Sequence, residues 1–273
     1  MLVNGQPADM ISVQDRGLLY GDGVFETILC EGGRPVLLAG HTQRLENGCK
    51  QLNLPVQDLP TILSDIRQVA EDDDCIVKVI VTRGVRPRGY GYDKQDNSCT
   101  RIVYRDDLSD ISGEYYQTGI DLTQCQHLLS SNASLAGIKH LNRLDQVLAR
   151  SEWNKEFQEG VMCTANGNVI EGTMSNIFIE SKQQWITPKL DDAGVAGVMR
   201  QWIMRNAYHA NMECIEDDLK LADLQNAEAI FVCNSVIGVW PVKSFEEKNY
   251  PISSAVKRLM NYIHSNLSKF YLV

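Results

Sequence analysis

The chain has 273 residues, 44% of them hydrophobic and 22% charged, with 35 acidic against 26 basic side chains and a formal net charge of −9. That is enough chain for one large or two modest domains with buried cores, and the balance excludes disordered and fibrous architectures. The negative charge argues against nucleic acid or an anionic membrane as a partner, so an anionic ligand must be met by local cations. The cysteines (Cys30, Cys49, Cys75, Cys99, Cys125, Cys163, Cys214 and Cys233) stand singly, with no C-x-x-C pair and no histidine pair at zinc spacing. They read as free thiols, and no metal site is expected. No apolar run approaches membrane-spanning length and no basic-then-apolar signal precedes Asp9, so a cytoplasmic protein without a membrane partner is expected.

In chain order, Leu2-Val3-Asn4-Gly5-Gln6 predicts a short strand turning at Asn-Gly. Glycines flank Asp22, Val24 to Leu29 reads as a strand, and Glu31-Gly32-Gly33-Arg34 reads as a hairpin turn into Pro35 to Leu38. From about Ala39 the period becomes helical, with Leu45, Cys49 and Leu52 on one face and Arg44 beside it. A second helix is expected near 61–72 through Ile62, Leu63, Ile66, Val69 and Ala70. The β-branched run Cys75 to Val81 predicts a buried strand. It ends in a basic, glycine-rich loop containing Arg83, Arg88, Gly89 and Tyr90, before another strand at Arg101 to Tyr104. A polar stretch follows, and the expected division is an N-terminal domain 1–110, a linker 111–118 and a C-terminal domain 119–273.

Beyond a strand starting near Gly119, Lys139 directly precedes a helix-start signal, with Asn142 as N-cap, Asp145 three residues on, and Leu141, Leu144 and Leu148 along one face. Read locally, Lys139 is a solvated surface charge; the functional alternative is a partly desolvated amine able to form a Schiff base. Strands are expected at Val161 to Cys163, Val169 to Glu171, Ser175 to Ile179 and Trp185 to Pro188, with a hairpin turn at Asn166-Gly167-Asn168. Gly194 to Gly197 leads into a helix through Met199, Trp202, Ile203 and Ala207. Ala229 to Cys233 reads as a buried strand, and an amphipathic helix is expected near 253–267.

No P-loop, G-x-S-x-G elbow, H-E-x-x-H or complete G-x-G-x-x-G fingerprint occurs. What remains suits an aldehyde cofactor with a phosphate and a ring nitrogen. Pyridoxal 5′-phosphate needs a lysine, which Lys139 supplies, and a carboxylate at its pyridine nitrogen, which Glu171 could supply. The Gly197-Val198-Met199 helix start offers unpaired N–H groups for the phosphate. Each feature also has a plainer reading: a solvated strand-edge glutamate, and a glycine that merely caps a helix.

Four segments occur in the order found in the fold-type IV pyridoxal-phosphate enzymes: Gly21-Asp22-Gly23-Val24-Phe25-Glu26-Thr27, Ile138-Lys139, Glu171 to Phe178, and Ala193 to Arg200. That family includes branched-chain aminotransferases, D-amino acid aminotransferases and aminodeoxychorismate lyases, and the chain resembles it over nearly its whole length. The resemblance implies an α/β (α+β) fold of two domains, the smaller N-terminal and α/β, the larger C-terminal with a barrel-like sheet. It implies a homodimer acting on a small molecule, with the cofactor in the cleft between the domains.

Position by position, the resemblance makes Lys139 the Schiff-base lysine and Glu171 the partner of the pyridine nitrogen. Arg44, in His41-Thr42-Gln43-Arg44, would bind the phosphate with the backbone of Val198 and Met199, and Asn176, Asn234 and Ser235 would complete the cofactor pocket. Ile138 to Leu144 and the Arg83, Arg88-Gly89-Tyr90 pattern are similar to the lyase subgroup, which releases pyruvate from 4-amino-4-deoxychorismate to leave 4-aminobenzoate. Asn142-Arg143 stands where branched-chain aminotransferases carry a tyrosine, and Tyr90 where D-amino acid aminotransferases carry a histidine; a D-amino acid or branched-chain aminotransferase is the alternative. The substrate carries two carboxylates, which an acidic protein can hold only with local cations such as Arg88, helped by Arg83, Arg101 or Arg143, with Tyr90 and Asn142 beside them. Thr27 is a candidate proton donor beside Lys139.

Overall fold

The computed structural model describes residues 1–55, 58–108 and 113–266. The chain forms two compact units. One takes in the described chain from Met1 to Leu108 together with Ile138–Asn142; the other takes in residues 113–137 and the described chain from Arg143 onward. The stretch expected as a linker, 111–118, begins outside the described residues, and its end forms a short helix.

In the first unit, strands β1 (Leu2–Val3), β2 (Gln6–Pro7), β3 (Gly23–Glu31), β4 (Arg34–Pro35), β5 (Cys75–Thr82) and β6 (Thr100–Asp107) form an antiparallel sheet ordered β2-β1-β6-β5-β3-β4. Its helices are α1 (Arg16–Tyr20), α2 (Leu38–Gln51) and α3 (Leu59–Ala70). Side chains alternate along a strand, so Val24, Ile28 and Cys30 share a core with Cys75, Val77, Val79 and Val81. Leu45 and Cys49 of α2 and Ile62, Ile66 and Ala70 of α3 pack into the same core. Helix α3 begins at Leu59, earlier than its apolar stripe suggests, because the Asp58 carboxylate accepts the Thr61 N–H and Pro60 fits the first turn. The strand expected through Leu38 stops at Pro35, since Leu37 turns into the left-handed region at φ 53° and Leu38 opens α2. Gly48 lets α2 approach the sheet closely, for a Cβ there would lie 2.9 Å from Val24 Cγ1.

The second unit contains α4 (Tyr115–Thr118), β7 (Ile120–Gln124), α5 (Leu144–Arg150), β8 (Glu159–Cys163), β9 (Asn168–Gly172), β10 (Asn176–Ser181), β11 (Gln184–Pro188) and α6 (Val198–Asn206). It continues with β12 (Cys214–Asp217), β13 (Leu219–Lys220), α7 (Leu221–Asn226), β14 (Ala229–Asn234), β15 (Gly238–Phe245), β16 (Lys248–Asn249) and α8 (Ser254–Asn266). The sheet runs β12-β11-β10-β14-β15-β7-β8-β9-β13, with β16 beside β15. It curls until β9 also packs against β10 and β11, but no ladder closes it among the described residues. One face buries Ile120, Leu122, Val161, Ile177, Ile179, Val232, Val242 and Phe245. The opposite direction along β10 and β14 stacks Phe178 on Phe231 with ring centroids 4.7 Å apart, and α6 packs against β14. Burial on both faces is why these strands read as unbroken apolar runs.

The expected capping box before α5 does not form. The N-cap is Arg143, without a side-chain cap, and the Asn142 amide instead donates to Gly21 O at 3.1 Å. Asp145 accepts from Ser130 N at 3.1 Å and meets His127 Nε2 at 2.9 Å, so tertiary partners outcompete the local cap. Leu144 and Leu148 are exposed at 72% and 51%, so their stripe is not part of the core.

Candidate active site

In the first unit, the Lys139 segment docks on the edge of β3 that β4 leaves open. Phe25 N–H donates to Lys139 O at 2.9 Å and Leu141 N–H to Gly23 O at 3.0 Å, with His140 opposite Val24. Lys139 is thus fixed by backbone pairing, not by the following helix. Its half-buried side chain places Nζ 4.5 Å from the centre of the Phe25 ring, an aromatic face that attracts the cationic amine. Thr27 lies two residues further along β3, on the side of the strand that Phe25 shares.

The opposite side of β3 carries Glu26, which is 1% exposed. Arg44 Nε donates to its Oε1 at 2.8 Å and Nη2 to its Oε2 at 2.5 Å, while His41 Nδ1 lies 2.6 Å from Oε2. His41 and Arg44 are three residues apart on α2 and therefore share the face turned to the strand. Burial alone would raise the Glu26 carboxyl, but the Arg44 charge and the hydrogen bonds of Arg44 and His41 bring it down to about 2. Burial pushes His41 below its ordinary value, against the pull of Glu26. A neutral His41 donating from Nδ1 follows, and its buried Nε2 has no hydrogen-bond partner among the described residues. Arg44, which helix periodicity alone places on the surface, is 8% exposed because Glu26 draws it inward.

The other cations of this unit divide sharply. Arg83 donates to both Asp22 oxygens and to the carbonyls of Leu52 and Asn53, and lies 3.7 Å over the Tyr92 ring, so it braces the loop. Asp22, pushed up by burial, is pulled lower by Arg83 and Arg16. Arg101 donates from Nε to Asp65 at 2.7 Å, beneath α3. Arg88 and Tyr90 are exposed, Tyr90 at 83%. Of the substrate-facing set expected from sequence, Arg88 and Tyr90 are presented to solvent whereas Arg101 is engaged in an ion pair.

In the second unit, Glu171 near the end of β9 is 4% exposed and accepts Val195 N–H at 2.7 Å and the Gln146 amide at 3.3 Å. Arg143 is drawn down by burial and held up by the charges of Glu171 and Asp145, so this guanidinium belongs to the surroundings of Glu171. Asn176 Nδ2 donates to Val195 O at 3.0 Å. Glu171 and Asn176 therefore hold both polar groups of Val195, and Gly197 is confined by the same neighbour, as a Cβ there would fall 1.9 Å from Asn176 Oδ1. Gly197 caps α6 with no side-chain hydrogen bond, and Val198 and Met199 follow, buried. Asn234 Nδ2 donates to Met174 O at 3.1 Å, and its Oδ1 accepts the N–H groups of Val236 and Ile237, shaping the turn that contains Ser235. Sequence reasoning overlooked Glu26, His41, Gln146 and Val195. Glu26, His41 and Val195 lie inside or beside quoted motifs and Gln146 in the helix after Lys139, but what each holds is set only by tertiary contact.

Among the described residues no cluster of His, Cys, Asp or Glu could hold a metal ion, and no helix is long and apolar enough to cross a membrane. The family described as amino-transferase class IV matches residues 23–245, and the chain belongs to it. The chain is 31% identical over 268 residues to the aminodeoxychorismate lyase of Vibrio harveyi, covering 97% of this chain and 98% of the relative. It is 30% identical to the aminodeoxychorismate lyase of Bacillus subtilis, covering 88% and 83%. The crystal structure of 4-amino-4-deoxychorismate lyase from Pseudomonas aeruginosa superimposes with a TM-score of 0.92 at 36% identity, covering 97% of this chain and 98% of that one.

Proposed function

We propose that this protein is a pyridoxal-phosphate-dependent lyase that converts 4-amino-4-deoxychorismate to 4-aminobenzoate and pyruvate. The observation that carries this reading is the end-to-end likeness to lyases, at 31% and 36% identity with 97% of the chain covered in each case. The donor set fits the cofactor: a half-buried amine on Lys139, a buried carboxylate on Glu171, and a helix start at Gly197 without a side-chain cap. Arg44 and the N–H groups of Val198 and Met199 would hold the phosphate, with Asn176, Asn234 and Ser235 shaping the pocket. When bound, the cofactor supplies an aldehyde for imine exchange and a ring that accepts the electron pair left on the amine-bearing carbon.

The protein's own groups then have distinct tasks. Lys139 would hold the cofactor through its amine and, once free, its Nζ would be the base that takes the proton from the substrate's amine-bearing carbon. The Glu171 carboxylate, oriented by Val195 N–H and Gln146, would be the group that meets the ring nitrogen. Arg88 and Tyr90 meet the substrate carboxylates, with Asn142 and Arg143 flanking the lysine. Lys139 or Thr27 returns a proton to the departing enolpyruvyl group, which leaves as pyruvate while the ring becomes aromatic.

The protein is also proposed to be a cytoplasmic homodimer. The exposed apolar side chains Met10, Val13, Leu18 and Leu19, at 78%, 75%, 64% and 52%, support association, and the free cysteines suit a reducing compartment. Purified protein should be yellow, and borohydride should fix the label on Lys139. Supplied with aminodeoxychorismate it should release pyruvate faster than it transaminates D-alanine with 2-oxoglutarate. A colourless protein that takes up no pyridoxal phosphate would sink the proposal; preferred transamination would replace the lyase by an aminotransferase.

A further inference from the structure

Glu159 opens β8 and is 1% exposed, yet makes no ion pair among the described residues. Its carboxylate is met by neutral donors. Oε1 accepts Gly160 N–H at 2.9 Å, Thr173 N–H at 2.8 Å and the Thr173 hydroxyl at 2.5 Å. Oε2 accepts Met174 N–H at 3.1 Å and the Ser175 hydroxyl at 2.7 Å. Successive N–H groups converging on one anion form a nest, and here the chain supplies the anion itself. A carboxylate buried this deeply is tolerable only when its oxygens are fully hydrogen-bonded.

The composition of the turn after Glu171 follows from this contact. Gly172 can carry no side chain, since a Cβ would lie 2.8 Å from the Glu159 carboxyl and 2.4 Å from Ser175 Oγ. Thr173 and Ser175 each donate a hydroxyl, and Gly172 N–H donates to Ser175 O at 2.6 Å to close the turn. The turn joins Glu171 to Asn176, the two side chains that hold Val195.

We propose that Glu159 is a positioning residue for the cofactor: its carboxylate fills the Thr173–Ser175 nest and so fixes Glu171 and Asn176, and with them Val195, in the geometry that binds pyridoxal phosphate. The inference rests on the reading of Glu171 as the carboxylate at the ring nitrogen. In Glu159→Gln one oxygen becomes an NH2 group, which turns a donor toward donors and leaves N–H groups of the turn without an acceptor.

The test titrates pyridoxal phosphate into full-length wild type, Glu159→Gln, and Glu159→Ala with and without formate, recording affinity and the near-visible band. Loss of one buried charge-assisted hydrogen bond should weaken binding at least about tenfold. The band should move from its wild-type position, and formate, filling the vacated nest, should restore part of the affinity of Glu159→Ala. A mere packing role would leave the band unmoved. Wild-type affinity and spectrum in a Glu159→Gln protein with wild-type circular dichroism overturn the proposal. If the Glu159 variants do not fold, Thr173→Val and Ser175→Ala, each lacking one donor, carry the same reading, and wild-type binding in both overturns it. Should the wild type itself take up no pyridoxal phosphate, the lyase reading fails. The anchoring by Glu159 is then judged by amide exchange at Thr173 and Met174, which speeds up in Glu159→Gln if the nest depends on the charge and is unchanged if it does not.

Discussion

Replacing Glu26 by Gln removes the buried anion that holds Arg44 and His41. In the folded protein the Glu26 carboxyl stands at about 2 against an ordinary 4.5, with burial opposing the shift and Arg44 and His41 outweighing it. At roughly 1.4 kcal/mol per pKa unit, that difference amounts to about 3 kcal/mol, and breaking a buried pair by removing one partner costs on the order of 3–5 kcal/mol. Because the folded value is depressed, this stability is fully present above the unfolded pKa and is lost as pH falls through the folded one. The cost of Glu26→Gln is therefore greatest near neutrality and shrinks as pH is taken from 4.5 toward about 2. The tryptophans, Trp153, Trp185, Trp202 and Trp240, all lie in the second unit, so their fluorescence does not report on the first. Amide exchange along β3 and β5 does, and about 3 kcal/mol corresponds to a loss of protection on the order of a hundredfold. A loss below about tenfold at neutral pH, or one that does not shrink on acidification, would refute the reasoning.

Gly197→Ala places a methyl group 1.9 Å from Asn176 Oδ1; a cost of about 1–3 kcal/mol in urea unfolding, with weakened pyridoxal phosphate uptake, is expected. Arg101→Met strands the buried Asp65 carboxylate, so it should destabilise by about 3 kcal/mol while leaving the KM for aminodeoxychorismate unchanged; a raised KM in a stable variant would restore Arg101 to substrate binding. Arg88→Ala, at an exposed position, should do the reverse, shifting stability by no more than about 0.5 kcal/mol and raising KM in steady-state pyruvate release. Ile66→Ala empties a fully buried position between α3 and the sheet and should cost about 2–5 kcal/mol, read from exchange protection in β5.

Lys139 shows how far local reading reaches. Its flanks suggest a capped helix, because Asn142 and Asp145 have the right spacing. The structure gives those side chains to Gly21, His127 and Ser130, and fixes the lysine by pairing with β3. Capping strengths are small enough for tertiary partners to override them. Arg44 shows the same in reverse: helix periodicity marks it as a surface residue, and one acidic side chain on a neighbouring strand buries it.

The amino-acid sequence by itself determined the apolar, β-branched runs that make β3, β5, β10 and β14 strands, the helical stripes of α2, α3 and α8, and the order of the motifs that marks the family. These are local properties, set by side-chain periods of two and about 3.6 residues. The short elements β12, β13, β16 and α7 carry too few residues for a period to show. Which charges are spent on structure and which are left for chemistry was decided by the tertiary structure alone. Arg101 faces Asp65 and Glu159 faces Thr173 only after the chain has folded, and an ion pair or an anion nest is defined by distance in space, to which spacing along the chain gives no guide.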